Sequence, residues 1–260
     1  MERTWFRRLA PPVDGGVRLI CFPHAGGASS YYVPLARRLA DTAGIDVAGV
    51  QYPGRQDRRS EPGVGDIVDL AGMVARALAA EESDRPFAFF GHSMGALVAY
   101  ETARHLVRRG SPLPVRLFVS GRAAPGVGPT VADQHTDEEE LVAHVRDLGG
   151  TAEAVFDDPD LRAMVMPALR SDYRALRTYA WTPGEPLDVP MTMLVGRADP
   201  VAPVELVRAW NGHSARPARM EVFEGGHFFI DGALSEVAEL VAEDLKALLP
   251  VRAGGTESTV

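Results

Sequence analysis

The 260-residue chain predicts an α/β protein with a mostly parallel central sheet, helices on both faces and a helical insertion late in the chain. Three observations lead there. Short apolar runs alternate with helical patterns along the sequence, the runs end at turns rich in Gly and Pro, and strand-like runs vanish between Ala124 and Pro190. Strands alternating with helices form βαβ units, which build parallel sheets covered on both sides.

Taken in order, Val17 to Phe22 reads as a strand, ended by Pro23 and the turn His24-Ala25-Gly26-Gly27. A helix over about Tyr31 to Ala40 and a strand over Asp46 to Tyr52 follow. Ile67, Leu70, Ala71, Val74 and Leu78 share one helical face. Phe87 to Phe90 is a short buried strand that runs through Gly91 into a helix from Met94 to Arg109, stopped by Gly110. Further strands are expected at Val115 to Val119, Met191 to Val195 and Ala218 to Phe223, with helices at Val204 to Trp210 and Ser235 to Leu249. Val251 to Val260 reads as a frayed tail.

The strandless segment carries two helical patterns. Thr136 and Glu139 form a capping box before Leu141, Val142 and Val145, and Asp160 to Tyr179 is amphipathic, with a bend expected at Pro167. An insertion there, about residues 125–189, is expected to lie as a lid over the C-terminal edge of the sheet, where such sheets place their ligands. The whole chain, 1–260, is expected to form one domain.

Composition narrows the function. Hydrophobic residues at 46% and charged residues at 24% suit a globular protein, and a chain this long buries a core without disulfide or metal. The single cysteine, Cys21, sits in an apolar run and reads as core. A net charge of −8 disfavours nucleic-acid binding through a basic face. Absence of a signal-peptide pattern or membrane-length apolar run leads us to expect a cytoplasmic protein that engages no membrane. No phosphate-binding, dinucleotide or metal-ligand pattern is present, so neither metal nor cofactor is expected.

The chemistry centres on Gly91-His92-Ser93-Met94-Gly95. G-x-S-x-G is a modest signal alone, but here it follows a strand and opens a helix, the context of the nucleophile elbow of the α/β-hydrolase fold. Ser93 is the candidate nucleophile, and a serine hydroxyl needs a base. Of the seven histidines, His227 follows the last strand on the loop Glu224-Gly225-Gly226, where this fold places its catalytic imidazole. His213, His105, His135 and His144 read as structural or surface residues, and the His92 side chain should point away from the serine. The acid is expected where Met191 to Val195 ends, at Asp199; Asp188 and Asp231 read as surface charges. An oxyanion hole would take one amide from Met94 and a second from the His24–Gly27 loop, with Ala25 favoured and Gly26 the alternative.

Phe22-Pro23-His24-Ala25-Gly26-Gly27, Tyr52-Pro53-Gly54-Arg55, the elbow, Leu148-Gly149-Gly150, Gly196-Arg197-Ala198-Asp199 and Gly225-Gly226-His227-Phe228 occur in one order. Together, over about residues 15–249, they resemble the type II thioesterases, discrete editing enzymes of polyketide and nonribosomal peptide synthesis. One departure is Arg170-Ser171-Asp172, where that family often has Arg-Ala-Asp. The resemblance implies hydrolysis of acyl thioesters held on the phosphopantetheine arm of an acyl or peptidyl carrier protein, a transient partner, by a monomeric enzyme. It also implies an acyl chamber, for which Leu161, Met164, Val165, Met166 and Leu169 are candidates, and a carrier-docking patch, for which Arg55, Arg58 and Arg59 are candidates. The rival readings are a general carboxylesterase or acyltransferase on the same triad, and a non-catalytic binding protein of the same fold.

Overall fold

The computed structural model describes residues 5–13, 16–81, 83–127, 134, 137–149 and 153–246. Seven strands form one sheet: β1 (Phe6–Arg8), β2 (Arg18–Phe22), β3 (Asp46–Val50), β4 (Phe87–His92), β5 (Leu117–Ser120), β6 (Met191–Gly196) and β7 (Arg219–Phe223). Their spatial order is β1-β3-β2-β4-β5-β6-β7. Every pairing is parallel except β1 with β3. The parallel strands from β2 to β6 are nearly all buried, as expected where helices cover both faces.

On one face, α1 (Val33–Ala43) packs beside the last helix, α9 (Leu234–Lys246), over Leu19, Cys21, Val47 and Phe90. On the other, α2 (Ile67–Ala79) packs against α3 (Met94–Arg109) over Ile20, Phe22, Phe89 and Val119. The alternation along β2, with Leu19 and Cys21 on one side and Ile20 and Phe22 on the other, divides the core into these two halves. Burial pushes the Cys21 thiol well above the ordinary range, so it stays a neutral core group.

Between β5 and β6 lie α4 (Glu138–Leu148), α5 (Glu153–Asp157) and α6 (Pro159–Thr178), which form a separate small core of Leu141, Val142, Val145, Phe156, Met166, Leu169 and Tyr173. The cap of α4 differs from the capping box expected at Thr136, a residue outside those described. Asp137 occupies the N-cap, and its carboxylate accepts the amides of Glu139 (2.9 Å) and Glu140 (3.2 Å). Helix α6 starts with Pro159 at N1 behind an Asp158 cap and continues through Pro167.

After β6 come α7 (Val204–Arg208), a 3-10 turn over Ala209–His213, then β7 and the short α8 (Phe229–Gly232). The expected helix over Val204 to Trp210 is therefore split. Helix α9 is described to Lys246; the remainder of the expected closing helix and the tail fall outside the described residues.

Candidate active site

The elbow is dictated by what its glycines exclude. A Cβ at position 95 would lie 2.6 Å from the carbonyl carbon of Phe22 and 2.8 Å from the carbonyl oxygen of Pro23. One at position 91 would lie 2.6 Å from the Cα of Ala96. Strand and helix can meet this closely only without side chains at both positions. The reversal falls on Ser93, with φ 54° and ψ −119°, a left-handed-side conformation that costs a non-glycine residue about 1–3 kcal/mol. The packing on either side holds the strain, and the Ser93 amide donates to the carbonyl of Ser120 at the tip of β5 (2.8 Å). Ser93 caps α3, so the first free amides of a sixteen-residue helix begin at Met94.

Two and three strands along, β6 and β7 deliver a carboxylate and an imidazole. Their loops interlock through the amides of Arg197 and Ala198, which donate to the carbonyls of Phe223 and Gly225. Asp199 follows, buried, with Oδ1 accepting the amides of Val201 (2.9 Å) and Ala202 (3.1 Å). Its other oxygen, Oδ2, lies 2.8 Å from Nδ1 of the buried His227. An ionised carboxylate only accepts, so Nδ1 carries the proton and Nε2 presents a lone pair. The imidazole reaches back over the β4–β5 edge: its Cε1 lies 3.5 Å from where a Cβ on Gly121 would stand, next to Ser120. Ser93, Asp199 and His227 thus gather at the C-terminal ends of β4, β6 and β7.

The loop after β2 closes as a β-turn in which the Gly27 amide donates to the His24 carbonyl (3.0 Å) and Gly26 takes φ +72°. The Gly26 amide donates to Asp172 Oδ2 of α6 at 2.7 Å, so it is already engaged; this disfavours Gly26 and favours Ala25 as the loop's donor. Leu169, one turn before Asp172, covers Gly26 so closely that its Cδ1 would stand 2.7 Å from an added Cβ. The insertion therefore lies over the C-terminal end of β2.

Several candidate residues fall elsewhere than expected. Arg55 and Arg58 were expected at a docking surface, but both are buried, 6% and 4% exposed. Arg55 pairs with Asp172, and its Nε donates to the Gly27 carbonyl (2.6 Å). Arg58 grips both oxygens of Glu61 (2.9 and 2.7 Å), donates to the Gln51 carbonyl and stacks over Trp5. Both guanidiniums are committed to internal partners, and of the three only Arg59 is exposed. On α6 the helical phase separates the chamber candidates. Met166 and Leu169 face inward and Val165 is half-buried, whereas Leu161 and Met164 are 41% and 60% exposed.

Other residues enter the site unannounced. His92 bonds the Ser120 hydroxyl through Nδ1 (2.9 Å) and packs its ring against that of His227, with centroids 5.0 Å apart. Burial, with the neighbouring imidazoles of His227 and His24, holds His92 well below the ordinary histidine range. His24, against Tyr31 and Phe228, is lowered to about 3 by burial and then by His227 and Arg55. A neutral aromatic bed thus backs the catalytic-type imidazole. The local hint of it in the sequence was position: His92 ends β4 and His24 lies two residues beyond β2. His213 is structural, held by the Tyr100 hydroxyl (3.1 Å) and the Pro125 carbonyl (3.1 Å). Asp188 is exposed and paired with Arg216, and Asp231 is exposed. His135 lies outside the described residues.

Among the described residues no cluster of three or more His, Cys, Asp or Glu could hold a metal, and no helix is long and apolar enough to cross a membrane. A cavity of about 390 Å³ opens at the opposite end of the sheet, between Ile20, Leu78, Leu106 and Leu113, far from the elbow in the topology.

Strand order, the strained serine and the imidazole–carboxylate pair beyond it put the chain among the α/β-hydrolases. Comparison with known proteins narrows this. A family model described as a thioesterase domain matches residues 17–245. The chain is 43% identical to the probable cadicidin biosynthesis thioesterase of Streptomyces griseus, over 96% of this chain and 67% of that protein. It is 40% identical to thioesterase PikA5 of Streptomyces venezuelae, over 93% and 85%. The solved type II thioesterase BorB from the borrelidin biosynthetic cluster superposes with a TM-score of 0.82 at 42% identity, over 93% of this chain and 97% of that one. The chain belongs to the thioesterase family, grouping with its type II members, and is an acyl thioesterase of the serine-hydrolase class.

Proposed function

We propose that the protein hydrolyses acyl thioesters carried on the phosphopantetheine arm of acyl or peptidyl carrier proteins, in the service of polyketide or nonribosomal peptide synthesis. Ser93 is the nucleophile, His227 the general base and acid, and Asp199 the group that fixes the imidazole. The observation carrying this reading is the 2.8 Å Asp199–His227 pair, set on the strands two and three places from that of an elbow serine. In the first half-reaction Ser93 Oγ attacks the thioester carbonyl and its proton passes to His227 Nε2. The developing oxyanion is met by the amides of Ala25 and Met94, each donor of this kind being worth about 3 kcal/mol. Collapse breaks the C–S bond, and the imidazolium returns its proton to the departing thiolate. That demand is light, because a thiol has a pKa of about 8.5. Water then attacks the acyl-Ser93 ester, giving a proton to His227; the C–O bond to Ser93 breaks, the imidazolium returns that proton to Ser93 Oγ, and the carboxylic acid leaves.

The substrate class is supported by relatives whose names place them in cadicidin and borrelidin biosynthesis. The chain's own acidity gives no global attraction to an acidic carrier. Of the chamber candidates, Val165, Met166 and Leu169 are the ones on the inner side of α6, and we take the acyl group to run along that side. The reaction needs no metal or bound cofactor, and we place it in the cytoplasm, by a monomer meeting its carrier transiently. Mass spectrometry of acylated carrier proteins incubated with the enzyme tests the reading. Wild type is expected to unload them and Ser93→Ala to leave them intact; equal unloading by both refutes it. Rapid turnover of simple esters with no preference for carrier-bound thioesters would instead indicate a general carboxylesterase.

A further inference from the structure

We propose that Asp172, on the lid helix α6, is a positioning residue for the oxyanion loop, acting with Arg55 through the amide of Gly26. The inference rests on the reading of Ala25 and Met94 as oxyanion donors. Asp172 is 2% exposed and lies 146 residues along the chain from Gly26. Its Oδ2 accepts both the Gly26 amide and the Arg55 guanidinium. The same guanidinium donates from Nε to the Gly27 carbonyl (2.6 Å) and from Nη1 to the Pro53 carbonyl (3.0 Å), and lies over the Tyr52 ring.

The turn is therefore held at two peptides, that of Ala25–Gly26 by a carboxylate drawing on its N–H and that of Gly27–Ala28 by a guanidinium drawing on its C=O. Ala25 supplies the carbonyl of the first held peptide and its own amide lies in the peptide just before, so the direction of that amide is set by a turn whose outer edge is bolted to α6. Leu169 adds an apolar contact from the same helix, one turn earlier. If stability were the only gain, apolar side chains of this volume would do as well, since desolvating a buried pair consumes most of its attraction. What apolar side chains cannot supply is an acceptor for the Gly26 amide and a donor for the Gly27 carbonyl. Seating of the lid helix and geometry of the oxyanion loop are thereby coupled.

The test uses the full chain and a short acyl N-acetylcysteamine thioester. Arg55→Met/Asp172→Leu removes both charges together and leaves neither buried alone, so it is expected to fold, with a melting temperature lowered by the unmet Gly26 amide and Gly27 carbonyl. Its kcat should fall about 100-fold, the scale of one lost oxyanion donor, with KM within about twofold. The isosteric Asp172→Asn, read the same way, should fall about tenfold. Affinity for an alkyl boronic acid, which forms a tetrahedral adduct on the serine, should weaken in proportion to kcat/KM, which a merely structural role would not require. Wild-type kcat in the folded variants, or a fall in kcat with boronate affinity unchanged, overturns the inference while Ser93→Ala remains inactive. Activity surviving in Ser93→Ala would instead sink the site reading and this inference with it.

Discussion

Asp199→Asn isolates the role of the carboxylate without changing its shape. In the native site Oδ1 is committed to the amides of Val201 and Ala202, and Oδ2 to His227 Nδ1. An asparagine has one acceptor oxygen. Two backbone N–H groups can be met only by that oxygen, which turns the NH2 toward His227. Nδ1 must then accept, the ring proton moves to Nε2, and no lone pair remains to receive the proton of Ser93. We expect kcat on an acyl thioester to fall about 10,000-fold, the scale known for this tautomer inversion in a serine triad, or about 5 kcal/mol of barrier. Thermal stability should change little, because the backbone amides keep their acceptor. Saturation kinetics give the first number, and nitrogen-detected NMR of the imidazole reports which ring atom carries the proton. A variant retaining more than about a tenth of wild-type kcat, with the ring proton moved to Nε2, would refute this account of how His227 works.

Three further outcomes follow from the geometry. Gly95→Ala sets a methyl against the backbone of Phe22 and Pro23, and should destabilise by about 3 kcal/mol or more in urea titration while abolishing activity. Arg58→Ala should cost about 2–4 kcal/mol, because it removes the buried guanidinium's bonds to the Gln51 carbonyl and to both oxygens of Glu61, whereas Arg59→Ala should leave the urea midpoint unmoved. His24 has a folded pKa of about 3 against an ordinary 6.5, so the unfolded chain binds the extra proton. Its contribution to stability is full above about pH 6.5 and declines as the pH falls toward 3. Urea midpoints of His24→Gln should accordingly fall less steeply than wild type between about pH 7 and about pH 5, and equal slopes would count against a neutral buried imidazole.

What the chain determines by itself is local. The passage Phe87 to Arg109 carries a strand, a glycine pair and a helix in contiguous residues, so the elbow and the bounds of α3 are legible without coordinates. The same holds for most strands, whose apolar runs reflect burial on both faces, and for the glycine-marked loops bearing Asp199 and His227. The three-residue β1 was not legible, since Phe-Arg-Arg shows no alternation and becomes a strand only because β3 offers an edge to pair with.

Tertiary structure decided the rest. Arg55 lies in a turn and reads as a surface cation until α6 brings Asp172 to it from 117 residues away. Leu161 and Met166 look equally apolar in sequence; which one is buried depends on how the helix is rotated over the sheet edge. The roles of His92 and His24 likewise depend on which rings meet them. A periodic pattern reports which residues share a face, because that is a property of the backbone alone. Which partner covers that face, and whether a charge finds its counter-charge, is set by chain segments far apart in sequence that meet only in the folded protein.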